Sequence, residues 1–376
     1  MDNQIVTTRS HYQTFLNSKR LYYITYQYRS NESMKNHDPR KRGIVPLKVP
    51  VALQIGTYIH AVAGNVMSGG SEAEAHKEQT DIWNKLRSER GFDTPFDPDD
   101  LLALAQGLSM SWVRNRWKEL EKQYEVLAVE KERELKLTES AEQFTVRFPM
   151  RLDAEVRDKF TGTFHGIEIK STGSTSPHFF NRFTYDIQTL CHHWCVSQTY
   201  GSCHSILMEY CLKGYGSRDF SKWNSPLTKG WEKLGSPPMD KHMYECAYAR
   251  ARTKDWNEIR VSQRFSQEEW YKLLGKKLDN TVSSGAITRS DLELPEFQLQ
   301  FFFAHKRINE GIHLLNSCQT KTEEKKLLAT YFPMSYHQFD SHLINFDPEE
   351  ALESGEYIFR EPHHPLEKEY MESSIQ

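Results

Sequence analysis

The chain lacks most of the features that settle a protein's class at a glance. None of its apolar runs approaches the roughly 20 residues that a membrane-spanning helix needs. Met1-Asp2-Asn3-Gln4 opens neither a basic nor an apolar region, so no secretory leader is expected. There is no Gly-x-x-x-x-Gly-Lys-Ser/Thr run, which argues against a helicase or ATPase. Repeats and low-complexity tracts are missing too. Close Cys-x-x-Cys knuckles are absent, although Cys191, Cys195, Cys203 and Cys211 fall near His192, His193 and His204. The bland reading of the six cysteines, as reduced thiols of a cytosolic protein, outweighs both a zinc site and a disulfide framework. The formal net charge of −3 lacks the basic excess of a non-specific DNA coat, while leaving room for a locally basic groove.

What is present begins with a core. Of 376 residues, 38% are hydrophobic and 12% aromatic, enough for one elaborated domain or two. The most informative stretch is Arg151-Leu152-Asp153 followed by Gly166-Ile167-Glu168-Ile169-Lys170-Ser171-Thr172. Alternation in a strand puts Glu168 and Lys170 on one face and Ile167 and Ile169 on the other. The turn-forming residues Asp158 to Gly162 let the two segments pair, which places Asp153 beside that face. Two hard carboxylates beside an ammonium group suit a magnesium ion, a scissile phosphate and an attacking water. Taken alone, an acid-x-Lys triplet is more often solvated decoration.

Three further segments add weight. Leu53, Ile55, Ile59 and Val62 recur at helical spacing within Val51 to Met67, and Gly56 and His60 share one face of that helix. Gly56 would leave space beside the imidazole. A helix histidine is usually a core residue, yet a neutral imidazole also completes carboxylate sites. The amphipathic run Phe179 to Tyr200 carries Gln188, whose amide would orient the site or touch DNA, or else is a plain surface glutamine. Ser205 to Lys213 reads as a further strand, with Lys213 a candidate backbone contact. His165 turns to the face opposite Glu168 and reads as structural, and His363-His364 as exposed.

In this order the residues resemble the PD-(D/E)XK nuclease superfamily, and more narrowly its RecB-type exonuclease branch, which includes phage-type exonucleases and CRISPR adaptation nucleases. The pattern of a Gly-x-x-x-His helix, an Asp strand, an acid-x-Lys strand and a Gln helix is matched by Gly56 to His60, Asp153, Glu168 to Lys170 and Gln188. Ser10 to Tyr23 resembles the family's opening helices, and the likeness runs over about residues 10 to 215. It implies an α/β fold with a restriction-endonuclease-like core, a mixed central sheet flanked by helices, and added helical N- and C-terminal regions. It implies Mg2+ or Mn2+ held by His60, Asp153, Glu168 and the carbonyl of Ile169. Asp153, Glu168 and Lys170 would be catalytic, with Lys170 orienting or polarising the attacking water. Gln188, Ser171, Thr172 and Lys213 would contact or orient DNA, and Glu132 would be a weaker acidic member. The departures are specific. Asn17-Ser18 stand where the first iron–sulfur cysteine of many relatives falls, and Tyr331 to His337 contains no cysteine, so no iron–sulfur cluster is expected. His192 replaces a common tyrosine, and Met150 a common glycine.

The organisation expected is one elaborated nuclease domain over 1–376. Within it, 1–125 is helical and carries the His60 motif, 126–260 is the α/β catalytic core, and 261–376 is helical and irregular. Ser10 and Gln13 form a capping-box pattern. Pro98-Asp99-Asp100 opens a helix over Leu101 to about Tyr124. Gly214 to Pro238, with Trp223 and Trp231, reads as a long loop, and His242 to Ala251 as a strand. Ser266 and Pro295 start helices, and the pattern weakens from Thr320. The leading expectation is a metal-dependent DNA exonuclease of recombination, repair or phage DNA processing. It would act in the bacterial or phage-infected cytosol, with DNA as substrate and a recombination or single-strand-binding protein as a possible partner. The alternatives are an endonuclease or structure-specific nuclease of the same fold, and a non-catalytic nucleic-acid-binding adaptor.

Overall fold

The computed structural model describes residues 4–30, 41–94, 98–139, 144–172, 181–212, 282–290, 292–318, 320–335, 341–362 and 364–373. Lys213, the loop with Trp223 and Trp231, the strand expected over His242 to Ala251, the helix from Ser266 and His363 lie outside these residues. The chain forms two compact units, each discontinuous in sequence. One takes Lys48–Lys131 and Leu152–Thr288, the other Met1–Leu47, Glu132–Arg151 and Arg289–Gln376. This division cuts across the consecutive regions 1–125, 126–260 and 261–376. The hairpin of Glu132–Glu139 and Phe144–Arg151 belongs to the second unit, although it sits in sequence between two strands of the first.

The first unit is built on a five-stranded mixed sheet. Its order is Val282–Ile287, Ser205–Leu212, Phe164–Thr172, Ala154–Asp158 and Tyr124–Val129. The Phe164–Thr172 strand is central, antiparallel to Ala154–Asp158 and parallel to Ser205–Leu212. The hairpin turn forms where the residue types demand it. Asp158 Oδ1 accepts the backbone N–H groups of Phe160 and Thr161 at 2.8 and 2.9 Å, and Gly162 takes φ +75. Ile167 and Ile169 are fully buried and pack with Ile55, Tyr58 and Ile59, as the alternation requires.

The helix carrying those partners runs Val51–Met67, the span its apolar spacing indicates. The expected 101–124 helix is instead interrupted: Pro98–Ser111, a π-helical turn over Trp112–Trp117, then Lys118–Gln123 before the strand at Tyr124. The widened turn suits two indoles five residues apart, and Trp112 and Trp117 are both buried and stacked at 6.1 Å. The Gln188 helix is Ile187–Tyr200, capped by Asp186 and closed by Gly201 at φ +86. A 3-10 turn at Arg182–Tyr185 precedes it, so the amphipathic run expected from Phe179 is not one continuous helix.

In the second unit, Gln4–Val6 pairs parallel with Phe144–Arg151, which pairs antiparallel with Glu132–Glu139. The first helix is Arg9–Asn17, and its cap is Thr8, whose side chain accepts from His11 N–H at 3.3 Å. Ser10 therefore falls inside the first turn, and the Ser10/Gln13 box does not form. The core is aromatic: Tyr12 meets Phe301 at 4.8 Å, Phe301 meets Phe148 at 4.9 Å, and Tyr22 stacks on Phe332 at 5.9 Å. The long helix from the Pro295 region is Glu293–Ser317. Beyond Thr320, where the pattern weakens, the chain still folds into helices Lys321–Tyr331, Pro348–Glu353 and Pro365–Ser373. Strong local caps start the first two: Thr320 accepts from Glu323 N–H, and Asp347 from Glu349 and Glu350 N–H. No described helix is long and apolar enough to cross a membrane.

Candidate metal centre

Asp153 is the hub of the polar cluster in the first unit. It lies just before the Ala154–Asp158 strand, and it is 6% exposed. Its Oδ2 accepts the backbone N–H of Ile169 at 2.6 Å, and its Oδ1 lies 2.6 Å from Nδ1 of His60. Pairing of the two strands thus positions the carboxylate, and the Val51–Met67 helix brings the imidazole to it.

A third group completes the gathering, and the sequence reading missed it. Glu130 follows the Tyr124–Val129 strand and takes φ +48, the one described non-glycine residue with positive φ. Such conformations persist where the surroundings over-determine them, and they concentrate at functional sites. Its backbone N–H donates to the Asp153 carbonyl at 3.2 Å. One ligand atom each from His60, Glu130 and Asp153 lie within 4.8 Å of one another, the one such group among the described residues. The acid expected here was Glu132, two residues on. Glu132 instead opens the hairpin of the other unit, with a carboxylate oxygen 3.8 Å from His364 Nδ1.

Glu168 and Lys170 stand on the central strand with their side chains in contact, Lys170 Nζ donating to Glu168 Oε1. Gln188 Nε2 donates to the same oxygen at 2.5 Å, and His192 Nδ1 lies 3.4 Å from Oε2. Gln188 and His192 are one helical turn apart, so a single helix face addresses both oxygens of the acid. Glu168 is 3% exposed and Gln188 8%, which makes the amide a holder of the acid rather than an exposed contact. Glu168 is not in the three-residue group, yet its charge is felt there. Burial alone would lower the His60 pKa, but Asp153 and then Glu168 raise it above 6.5. Burial would likewise raise Asp153, but His60, the Ile169 N–H and Lys170 bring it down to about 2. The structure therefore gathers His60, Asp153 and Glu130, and sets Glu168, Lys170 and Gln188 beside them.

The other expected residues divide. Ile169 contributes its N–H to Asp153 and its buried side chain to the core. Ser171 faces the His60 helix, its Oγ 3.6 Å from where a Cβ on Gly56 would stand. The space at Gly56 is thus bordered by Ser171, and an added methyl would make ordinary contact. Thr172 is 5% exposed. His165 is buried and bonded to Thr163 and Ser205, with its pKa lowered by burial, the structural role expected of it.

Carboxylate oxygens and an imidazole form a donor set suited to a hard or borderline divalent cation, and burial of several acids together favours a cation there. A family model described as the PD-(D/E)XK nuclease superfamily matches residues 7–270. No curated protein matches the chain.

Proposed function

We propose, because the chain belongs to the PD-(D/E)XK nuclease superfamily, that it is a Mg2+- or Mn2+-dependent deoxyribonuclease that degrades DNA from ends. The observation that carries the reading is the convergence of His60, Glu130 and Asp153 beside the Glu168–Lys170 pair. His60, Asp153 and Glu168 would hold the cation with the Ile169 carbonyl, and Glu130 would join them. When bound, such an ion lowers the pKa of water and offsets charge on a phosphoryl oxygen.

The side chains do the rest. Asp153, held by two donors, keeps its carboxylate ionised at neutral pH. Gln188 fixes the orientation of Glu168 and so of Lys170 on the same oxygen. Lys170 is half-buried, which strengthens its field, and its ammonium group orients water and opposes negative charge on the phosphorane. The RecB-type exonuclease reading draws its support from the Gly56–His60 helix and the Gln188 helix, both of which carry a group into the site.

End-labelled linear DNA and covalently closed circles, incubated with magnesium or manganese and then with EDTA, test the proposal. Loss of linear DNA alone, stopped by EDTA, is expected. Cleavage of circles would replace the exonuclease with an endonuclease, and intact DNA in every lane would leave a nucleic-acid-binding adaptor.

A further inference from the structure

We propose that two copies of this chain associate edge to edge through the strand Glu132–Glu139, joining their three-stranded sheets into one continuous sheet. The inference is independent of DNA hydrolysis. Among the described residues this strand has one strand neighbour, Phe144–Arg151, so it forms an edge of its sheet. The opposite edge, Gln4–Val6, is only three residues long. Glu132–Glu139 is eight residues long, pairs in unbroken register, and contains neither proline nor glycine. A long regular edge of this kind is a template for another strand.

Backbone direction decides which residues offer the bonds. Thr7 N–H donates to Arg147 O at 3.0 Å, so Arg147 points its peptide groups toward Gln4–Val6. Its neighbours Val146 and Phe148 therefore point toward Leu137 and Leu135, the residues opposite them. That leaves the N–H and C=O groups of Glu134, Lys136 and Thr138 directed outward at the edge. Side-chain charge then selects the register. A two-fold axis through Leu135 sets Glu134 of each copy opposite Lys136 of the other, and Glu132 opposite Thr138. Moving the axis one residue either way sets Glu134 or Lys136 opposite its own copy, and like charges directly opposite are destabilising. Two donors of Arg147 hold the Glu134 carboxylate on the sheet face. Lys136 is 61% exposed and 3.5 Å from Glu134 of its own strand, which leaves its long side chain room to cross to the other copy.

An apolar rim completes the surface. Leu135 pairs with Phe148 on the face covered by the helix Glu293–Ser317, where Phe148 meets Phe301 at 4.9 Å. On that side Leu137, Pro295, Leu299 and Phe302 line a groove of about 310 Å³. Leu299 and Phe303, one helical turn apart, are 53% and 51% exposed. The two-fold axis stands perpendicular to the sheet, so both helices and both grooves flank the joint on one face.

In EDTA and without DNA, sedimentation equilibrium of the full chain should report twice its mass of 44.1 kDa. Lys136→Glu and Glu134→Lys, each alone, should weaken the dimer about tenfold or more, because each sets like charges opposite one another twice. Thermal melts of both should resemble the parent's. An equimolar mixture of the two variants restores unlike pairs at both positions and should dimerise as the parent does. Hydrogen exchange of the parent should slow at the amides of Glu134, Lys136 and Thr138 as concentration rises, a readout that needs no variant. The proposal is overturned by a monomeric parent, which leaves the edge to a strand of another protein, or by edge amides whose exchange ignores concentration. A dimer that neither single variant weakens, or a mixture that stays monomeric, overturns it as well.

Discussion

In the unit of Lys48–Lys131 and Leu152–Thr288, one polar cluster is built on three acids. Glu130, Asp153 and Glu168 share one region, with His60 and Lys170 set against them. In the other unit a single buried carboxylate, Glu367, stands between Arg360 and His11. Each cluster has an acid held near pKa 2, Asp153 in one and Glu367 in the other. The difference is in what remains once those acids are satisfied. The first cluster sets Glu130 and Glu168 near Asp153, oxygen donors suited to a cation. The second closes on itself, the Glu367 carboxylate meeting both Arg360 and His11.

The largest expected effect comes from emptying the first cluster of its hub. Asp153→Ala should lower DNA hydrolysis on the order of a thousandfold or more, because the ligand set and the orientation of His60 go together. Manganese titration should show binding lost in Asp153→Ala. Equal manganese affinity in Asp153→Ala and parent would break the comparison at its acidic end.

Lys170→Ala comes next. Its turnover should fall on the order of a hundredfold, since it removes one electrostatic stabiliser of the transition state. Manganese binding should survive, because the ammonium group is no ligand. Lys170→Arg should restore little, a planar fork being a poor substitute for a compact charge. Parent-like cleavage by Lys170→Ala, beside an inactive Asp153→Ala, would show the lysine to be decoration of the strand. A smaller effect belongs to Glu130→Gln, where manganese affinity should drop roughly tenfold or more, in the range seen when groups supporting a metal site are removed. An unchanged affinity would take Glu130 out of the site.

How far these residues could be read in advance depends on whether their placement is local. Glu168 and Lys170 follow from strand alternation, and Asp153 follows from a turn whose Asp158 and Gly162 bond and bend as their types require. The helix Val51–Met67 follows from its apolar spacing. Glu130 could not be read this way. Its placement depends on a left-handed backbone at the end of a strand, and Glu132, with the same strand parity, drew attention to itself instead. The local signal was the break after Val129, where two acids flank Lys131. Gln188 reads from the sequence as a residue that orients the site or touches DNA, not as a partner of Glu168. That depends on Asp186 capping the helix, so that the glutamine falls in its first turn. The interleaving of the two units was hidden for another reason. The hairpin of Glu132–Glu139 and Phe144–Arg151 alternates just as the sheet strands around it do, and only tertiary pairing assigns it elsewhere.

The smallest effect, and the finest test of the comparison, is the opposite titration of two histidines, one in each cluster. At His60, burial alone lowers the pKa, but Asp153 and Glu168 outweigh it, and the value rises above 6.5. The stabilisation from protonated His60 is therefore complete below 6.5 and is lost as pH rises through the raised value. At His11, burial is again the largest influence. The hydrogen bond and charge of Glu367 only partly offset it, Arg360 and His364 act in the same direction as burial, and the value falls below 6.5. The stabilisation from neutral His11 is complete above 6.5 and is lost as pH falls through the lowered value. In metal-free buffer, imidazole NMR should therefore show His60 titrating above 6.5 and His11 below it. His60→Gln should flatten the alkaline side of the melting-temperature profile, and His11→Gln the acidic side. Two histidines both titrating below 6.5 would mean that Asp153 and Glu168 do not outweigh burial at His60, and that burial governs both.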